Sequence, residues 1–156
     1  MDEITQQLRN RAIALLARRE HSQHELTTKL AGSEASAEQV AEVIAQLQAD
    51  GLQSDERYAA SLVRSLVARG QGPLRVHQSL KQKGVSGELA RLALEAADVD
   101  WFSQAEMVQQ KRFGDVTTDT PKEYARQVRF MLYRGFDQDQ VRHALDQARQ
   151  RAALTH

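Results

Sequence analysis

The sequence predicts an all-α fold, an elongated tandem array of three three-helix, helix-turn-helix-like repeats and nine helices. Three observations carry the prediction. Of 156 residues only 8 are Gly and 2 are Pro, and the bulk is Ala, Gln, Leu, Arg and Glu, side chains that lose little freedom in a helix. Apolar residues recur at intervals of three and four, as in Ile4, Leu8, Ala12, Leu15 and Leu16, then Val40, Val43, Ile44 and Leu47, then Tyr58, Leu62, Val63 and Leu66. That is one-sided helical burial, and no segment alternates as a strand would. Finally, Gly32, Gly84 and Gly135 stand 52 and 51 residues apart, each at the junction of the second and third helix of a group, which makes an internal repeat.

Start and stop signals set the elements in order. The first helix is expected over 3–20. Ser22 and Glu25 form a capping box, hydroxyl and carboxylate satisfying open backbone donors, and start the second, 22–31. The third, 36–50, ends at Gly51. There Leu52 follows and Leu47 lies four residues before, the apolar pair that a Schellman cap joins. Ser54 caps the fourth, 54–69. Pro73, tolerated in a first turn, opens the fifth, 73–83, which ends at Gly84 with Leu80 and Val85 as its pair. Ser86 caps the sixth, 86–97. Asp98 and Asp100 flank the next junction, where carboxylates commonly cap the following helix, 100–113. Pro121 lies at the start of the eighth, 120–134, which closes on Gly135 with Met131 and Phe136. Asp137 caps the ninth, 137–152. The repeats then span 1–53, 54–99 and 100–156. The first copy is the weakest, because Gly32 is followed by Ser33 and the polar stretch Glu34 to Glu38. Tandem units of this kind contact mainly their neighbours and offer one long surface.

Little in the chain points to catalysis. Cys is absent, which removes disulfides, thiolate zinc sites and cysteine nucleophiles, and fits a reducing compartment. Met1 to Asn10 is polar and no apolar run could cross a bilayer, so neither secretion nor a membrane partner is expected. Gly70, Gly72 and Pro73 begin something like a glycine-rich loop, but Arg75 stands where a dinucleotide fingerprint needs its third glycine and no strand precedes it. They read as a helix-helix turn. His21 and His24 lack further ligands for a metal and read as surface residues. No nucleophile has a base in sight. The chain reads as a non-enzyme without cofactor or metal.

The informative feature is the order of the charges. Lys plus Arg and Asp plus Glu both total 21, a net charge of zero. Yet from Ala31 to Glu56 there are six acids (Glu34, Glu38, Glu42, Asp50, Asp55, Glu56) and no Lys or Arg. From Arg57 to Gly87 there are six bases (Arg57, Arg64, Arg69, Arg75, Lys81, Lys83) and no Asp or Glu. Neutrality is a cancellation. A second basic group, Arg126, Arg129 and Arg134, is interleaved with Tyr124, Phe130 and Tyr133, with Lys111 and Arg112 shortly before it. Two readings stay open on these residues alone. One is a bipolar surface whose forked guanidiniums meet phosphate or acidic protein; the other is a solvated face with ion pairs between the acidic third helix and the basic fourth and fifth. Phe130 and Met131 read as core, Tyr133 is undecided, and Trp101 reads as a packing residue rather than a base-stacking platform.

The residues also resemble a known family. Ser22-Gln-His-Glu25-Leu26-Thr-Thr-Lys29-Leu30, Gly51-Leu52 with Asp55-Glu56-Arg57-Tyr58-Ala59, and Gly72-Pro73-Leu74-Arg75-Val76 are the first of the matching stretches. Leu80-Lys-Gln-Lys83-Gly84-Val85-Ser86, Asp100-Trp101, Lys111-Arg112-Phe113-Gly114, Arg129-Phe130 and Leu132-Tyr133-Arg134-Gly135-Phe136 complete them. In this order, over nearly the whole chain, they resemble the RecX regulatory proteins. The resemblance implies three three-helix units and a cytoplasmic modulator of the RecA recombinase in recombination and the SOS response. Such a protein binds the RecA filament on single-stranded DNA, and also DNA itself, and inhibits filament extension, ATPase and strand exchange. It would act as a monomer. Carried over by position, the resemblance favours Arg57, Arg75, Lys83, Lys111, Arg112, Arg129 and Arg134 as contacts, with Arg126 in the same motif. Arg64, Arg69 and Lys81 join them as neighbouring bases. The chain departs from many relatives at Ser61, Leu66 and Gln71, where those carry further arginines or an aromatic. The alternative from the residues is a helix-turn-helix DNA-binding transcription regulator.

Overall fold

The computed structural model describes residues 2–32 and 34–155. Among them the chain forms nine helices and no strand: α1 (Glu3–Arg18), α2 (Gln23–Leu30), α3 (Ala37–Ala49), α4 (Asp55–Ala68), α5 (Pro73–Gln82), α6 (Gly87–Ala97), α7 (Trp101–Phe113), α8 (Pro121–Tyr133) and α9 (Gln138–Thr155). The main departures from expectation are an α1 two residues shorter at its end and an α9 that runs on to Thr155.

Local chemistry starts and stops these helices as the sequence signals indicate. The Ser22 and Glu25 capping box is present in full, and Ser54, Ser86 and Asp137 each accept a first-turn backbone N–H, from Arg57, Leu89 and Gln140. Asp100 caps α7 by accepting from the Ser103 N–H at 3.2 Å. Asp98 does something else. Its φ of +48° makes it the only non-glycine with positive φ among the described residues. It takes the left-handed place after α6 that other helix ends give to glycine, a conformation Asp tolerates through its short polar side chain.

The three Schellman ends close as their apolar pairs require. The N–H of Leu52 donates to the Leu47 carbonyl at 2.9 Å, that of Val85 to Leu80 at 3.1 Å and that of Phe136 to Met131 at 3.3 Å, around Gly51, Gly84 and Gly135, all with positive φ. Gly70 makes a fourth such end, with the Gln71 N–H on the Leu66 carbonyl at 3.1 Å. Ser33, which follows Gly32, lies outside the described residues.

The helices gather into two compact units, residues 1–62 with 80–96, and residues 63–79 with 97–156. The first buries Leu8 and Ala12 of α1, Leu26 and Leu30 of α2, and Val40, Val43, Ile44 and Leu47 of α3 in one apolar cluster. The second buries Ala105 and Val108 of α7, Met131 of α8, and Phe136, Val141, Ala144 and Leu145 near and on α9. Half-buried Tyr124, Val128 and Phe130 pack against that second cluster. On α4, Tyr58, Ala59, Val63 and Leu66 are buried at the three-and-four spacing, as are Val76 and Leu80 on α5.

One contact is made twice, once in each unit. In the first, the Ser22 hydroxyl at the start of α2 donates to the Lys83 carbonyl at 2.7 Å, and a Cβ on Gly84 would stand 2.5 Å from the His24 Cβ. In the second, the Gly72 and Leu74 N–H groups at the start of α5 donate to the Arg134 and Gly135 carbonyls at 2.8 and 3.0 Å, and a Cβ on Gly135 would stand 2.4 Å from the Arg75 Cβ. The beginning of one helix seats on a glycine turn roughly one repeat further along the chain. In the second contact, backbone donors that a helix start leaves open meet carbonyls that a helix end leaves open; in the first, the cap hydroxyl is the donor.

Candidate nucleoprotein interface

The predicted cations divide between the two units. Arg57, Lys81 and Lys83 belong to the first unit, and Arg64, Arg69, Arg75, Lys111, Arg112, Arg126, Arg129 and Arg134 to the second. In the first unit two of the three have structural partners. The Arg57 Nε donates to Glu20 Oε1 at 3.1 Å and its Nη1 to the Gly51 carbonyl at 2.8 Å. Lys83 Nζ lies 3.7 Å from Glu25 Oε2. Glu25 is 8 % exposed and is also gripped by Arg19 through both guanidinium nitrogens, at 3.1 and 2.8 Å. Burial alone would raise its carboxyl, but the Arg19 and Ser22 hydrogen bonds and the Arg19 and Lys83 charges overcome it and hold the pKa at about 2. Of the two readings left open, the ion pairs between α3 and α4 or α5 do not form among the described residues: Arg57 uses Glu20, Lys83 uses Glu25, and Asp50 just past the end of α3 is taken by Arg9 at 2.7 Å.

The histidines correct another expectation. His24 is exposed, but His21 is 1 % exposed. Its Nε2 lies 3.0 Å from Lys29 Nζ, which has only protons to give, so Nε2 accepts and Nδ1 carries the hydrogen, donated to the Arg19 carbonyl at 3.1 Å. Burial lowers its pKa, as do the charges of Arg19 and Lys29. It is a neutral core histidine.

The second unit holds the basic face. α7 ends on Arg112-Phe113, and α8 carries Arg126, Arg129, Phe130 and Tyr133 on successive turns, with Arg134 as its C-cap. Phe113 and Phe130 meet edge to face, centroids 5.3 Å apart. Three guanidiniums lie on this pair: Arg112 at 5.3 Å from both rings, Arg126 at 5.1 Å from Phe113 and Arg134 at 4.9 Å from Phe130. A guanidinium is weakly hydrated and stacks on an aromatic face without giving up its edge donors. Arg134 also donates to the Arg69 carbonyl at 2.9 Å, and Arg126 makes a surface pair with Glu123 at 2.8 Å. Arg75 donates to the Tyr133 carbonyl at 2.7 Å while its guanidinium lies 4.5 Å from the Tyr133 ring centroid. The exposed side chains of Arg64, Arg69, Lys111 and Arg129, and Lys81 of the first unit, form no hydrogen bond or ion pair among the described residues.

The structure thus sorts eleven sequence-predicted cations into braced, paired and free ones. Tyr133, undecided from sequence, is exposed on the basic face. Sequence reading missed the buried polar contacts of the same unit. Gln109 and Gln127 are fully buried and joined at 3.0 Å, with Arg151 donating to Gln109 Oε1 at 3.0 Å. Gln104 donates to the Val67 carbonyl at 2.7 Å. Their only signal was glutamine at positions where the helical period calls for an apolar residue. A cleft of 890 Å³ beside the α7–α8 loop and the end of α9 is lined by Asp115, Thr118, Arg149 and Arg151 and by none of the predicted cations. Among the described residues no cluster of His and carboxylates could hold a metal ion, and no helix is long and apolar enough to cross a membrane.

Fold and site define a class: an all-helical protein of three-helix repeats with an arginine face braced on aromatic rings. Comparison with known proteins places the chain within it. Family models for the first, second and third three-helix domains of RecX match residues 9–47, 54–94 and 98–145. The regulatory protein RecX of Halorhodospira halophila is 44 % identical over 137 residues, 88 % of this chain and 85 % of that protein. That of Chromohalobacter salexigens is 43 % identical over 140 residues, 90 % of this chain and 91 % of the relative. The crystal structure of RecX from Lactobacillus salivarius shares the fold, with a TM-score of 0.79 over 99 % of both chains at 22 % identity. The chain belongs to the RecX family of regulatory proteins.

Proposed function

We propose that this chain is a negative modulator of RecA. It binds the RecA filament on single-stranded DNA and inhibits its extension, ATPase and strand exchange, in recombination and SOS repair in the cytoplasm. It acts by binding, as a monomer, and performs no catalysis itself. The observation that carries this reading is the second unit, where Arg75, Arg112, Arg126 and Arg134 are held on aromatic rings and Arg64, Arg69, Lys111 and Arg129 are exposed and free. Preorganised guanidiniums bind phosphate and carboxylate with little ordering cost. Membership of the RecX family supports RecA as the partner, and zero net charge means attraction comes from placed charges rather than from the bulk field of the molecule.

The test is a RecA ATPase assay on single-stranded DNA with the chain added at stoichiometric amounts. Slowed hydrolysis and filament loss are expected. Unslowed hydrolysis at that ratio overturns the proposal, and binding confined to particular duplex sequences would favour a transcription regulator instead.

A further inference from the structure

Tyr133 stands at the last position of α8 and is 70 % exposed, yet it is not a loose surface ring. Arg75 holds it from one side, with its guanidinium 4.5 Å from the ring centroid and a 2.7 Å hydrogen bond to the carbonyl of the same tyrosine. Arg75 is itself fixed by close backbone contact, since Gly135 leaves no room for a Cβ against it. With one face covered and most of the side chain in solvent, the other face is open. Leu74 and Leu132, the chain neighbours of Arg75 and Tyr133, are exposed as well. Arg129, four residues earlier on the same helix, is exposed and free, which puts its base one turn from the ring. Arg69, whose carbonyl is bound by Arg134, adds a second free cation.

An exposed aromatic held on one face by an arginine, with a free arginine one turn away, suits a flat π partner whose flanking groups are anionic. An unpaired nucleobase with its phosphates fits that description, because any base presents a π face and stacking on an aromatic needs no particular sequence. We propose that Tyr133, backed by Arg75, is a stacking platform for one unpaired base of single-stranded DNA, with Arg129 and Arg69 taking the adjacent phosphates. This rests on the function proposed above and assigns a specific contact within it.

The test compares binding of the full chain to an oligothymidylate and to an abasic oligomer of the same length, which keeps the phosphates and removes the bases. The unmodified chain should prefer the oligothymidylate by about fivefold or more. Tyr133→Ala should abolish that preference with helicity and melting temperature unchanged, and Tyr133→Phe should keep most of it. Equal binding of the two oligomers, binding of neither, or a preference that survives in Tyr133→Ala would overturn the assignment. The RecA ATPase assay is read separately: inhibition without base preference removes the platform and leaves the proposed function standing.

Discussion

Glu25 touches two cations, a backbone N–H of its own cap and a buried phenol, and so concentrates much of the first unit's electrostatics in one side chain. Burial and the Glu25 charge push the Tyr58 hydroxyl up to about 12. Because the Glu25 pKa is depressed from 4.5 to about 2, its stabilisation is fully present above the unfolded value and is lost as pH falls from 4.5 towards 2. Glu25→Gln should therefore lower stability at neutral pH by about 1–3 kcal/mol. It should also flatten the acid arm of a melting-temperature profile below pH 4.5; an unchanged arm would mean that other carboxylates dominate it. His21 acts at milder acidity. Its lowered pKa means that the unfolded chain takes up the proton first, so stability falls as pH drops below 6.5. None of this was legible from residue identity. Ser22 and Glu25 announced a cap, but a carboxylate that caps a helix and one that also anchors Lys83 look the same in sequence.

Helix ends were the most legible part of the fold, because caps and glycine turns are set by a few neighbouring residues. Gly51, Gly84 and Gly135 came with apolar pairs to mark them, whereas Gly70 closes α4 with polar Gln71 in the pairing position and carried no such mark. What the turns touch is a long-range matter and could not be read. Gly72 shows the difference. A Cβ there would stand 2.5 Å from the Gly135 carbonyl carbon and oxygen, so its absence of a side chain serves a backbone contact across more than sixty residues of chain. Gly72→Ala should cost about 1–3 kcal/mol, read by denaturant melts, because backbone cannot move aside as a side chain can. Gly87, in the first turn of α6, has open space and no positive φ. There alanine should stabilise by about 0.4–1 kcal/mol through the entropy of the unfolded chain.

At the scale of the whole chain, the opposed charge blocks form no ion pair with each other among the described residues; Asp50, Arg57 and Lys83 pair with residues outside both blocks. That turns one basic window of sequence into two populations. Arg57 and Lys83 are tied to Glu20 and Glu25, while Arg69 and Arg129 are free. Charge order exposed the presence of a basic surface, but which cations serve the fold depended on carboxylates such as Glu20 and Glu25, distant in sequence. Reversing Arg69 and Arg129 to Glu should weaken binding to single-stranded DNA and to the filament while the melting temperature holds. The dependence of log K on log salt should become shallower by about 0.7 for each phosphate that is no longer neutralised. Reversing Arg57 and Lys83 should instead lower the melting temperature, since each new carboxylate would face the one its cation now holds. The twice-made seating of a helix start on a later glycine turn has a further consequence, for how such a chain can grow. α8 begins on Thr120-Pro121 where α5 begins on Gly72-Pro73. A fourth repeat could be grafted on by bringing its own glycine turn to that start, where the Thr120 hydroxyl stands in the cap position from which Ser22 donates to the Lys83 carbonyl.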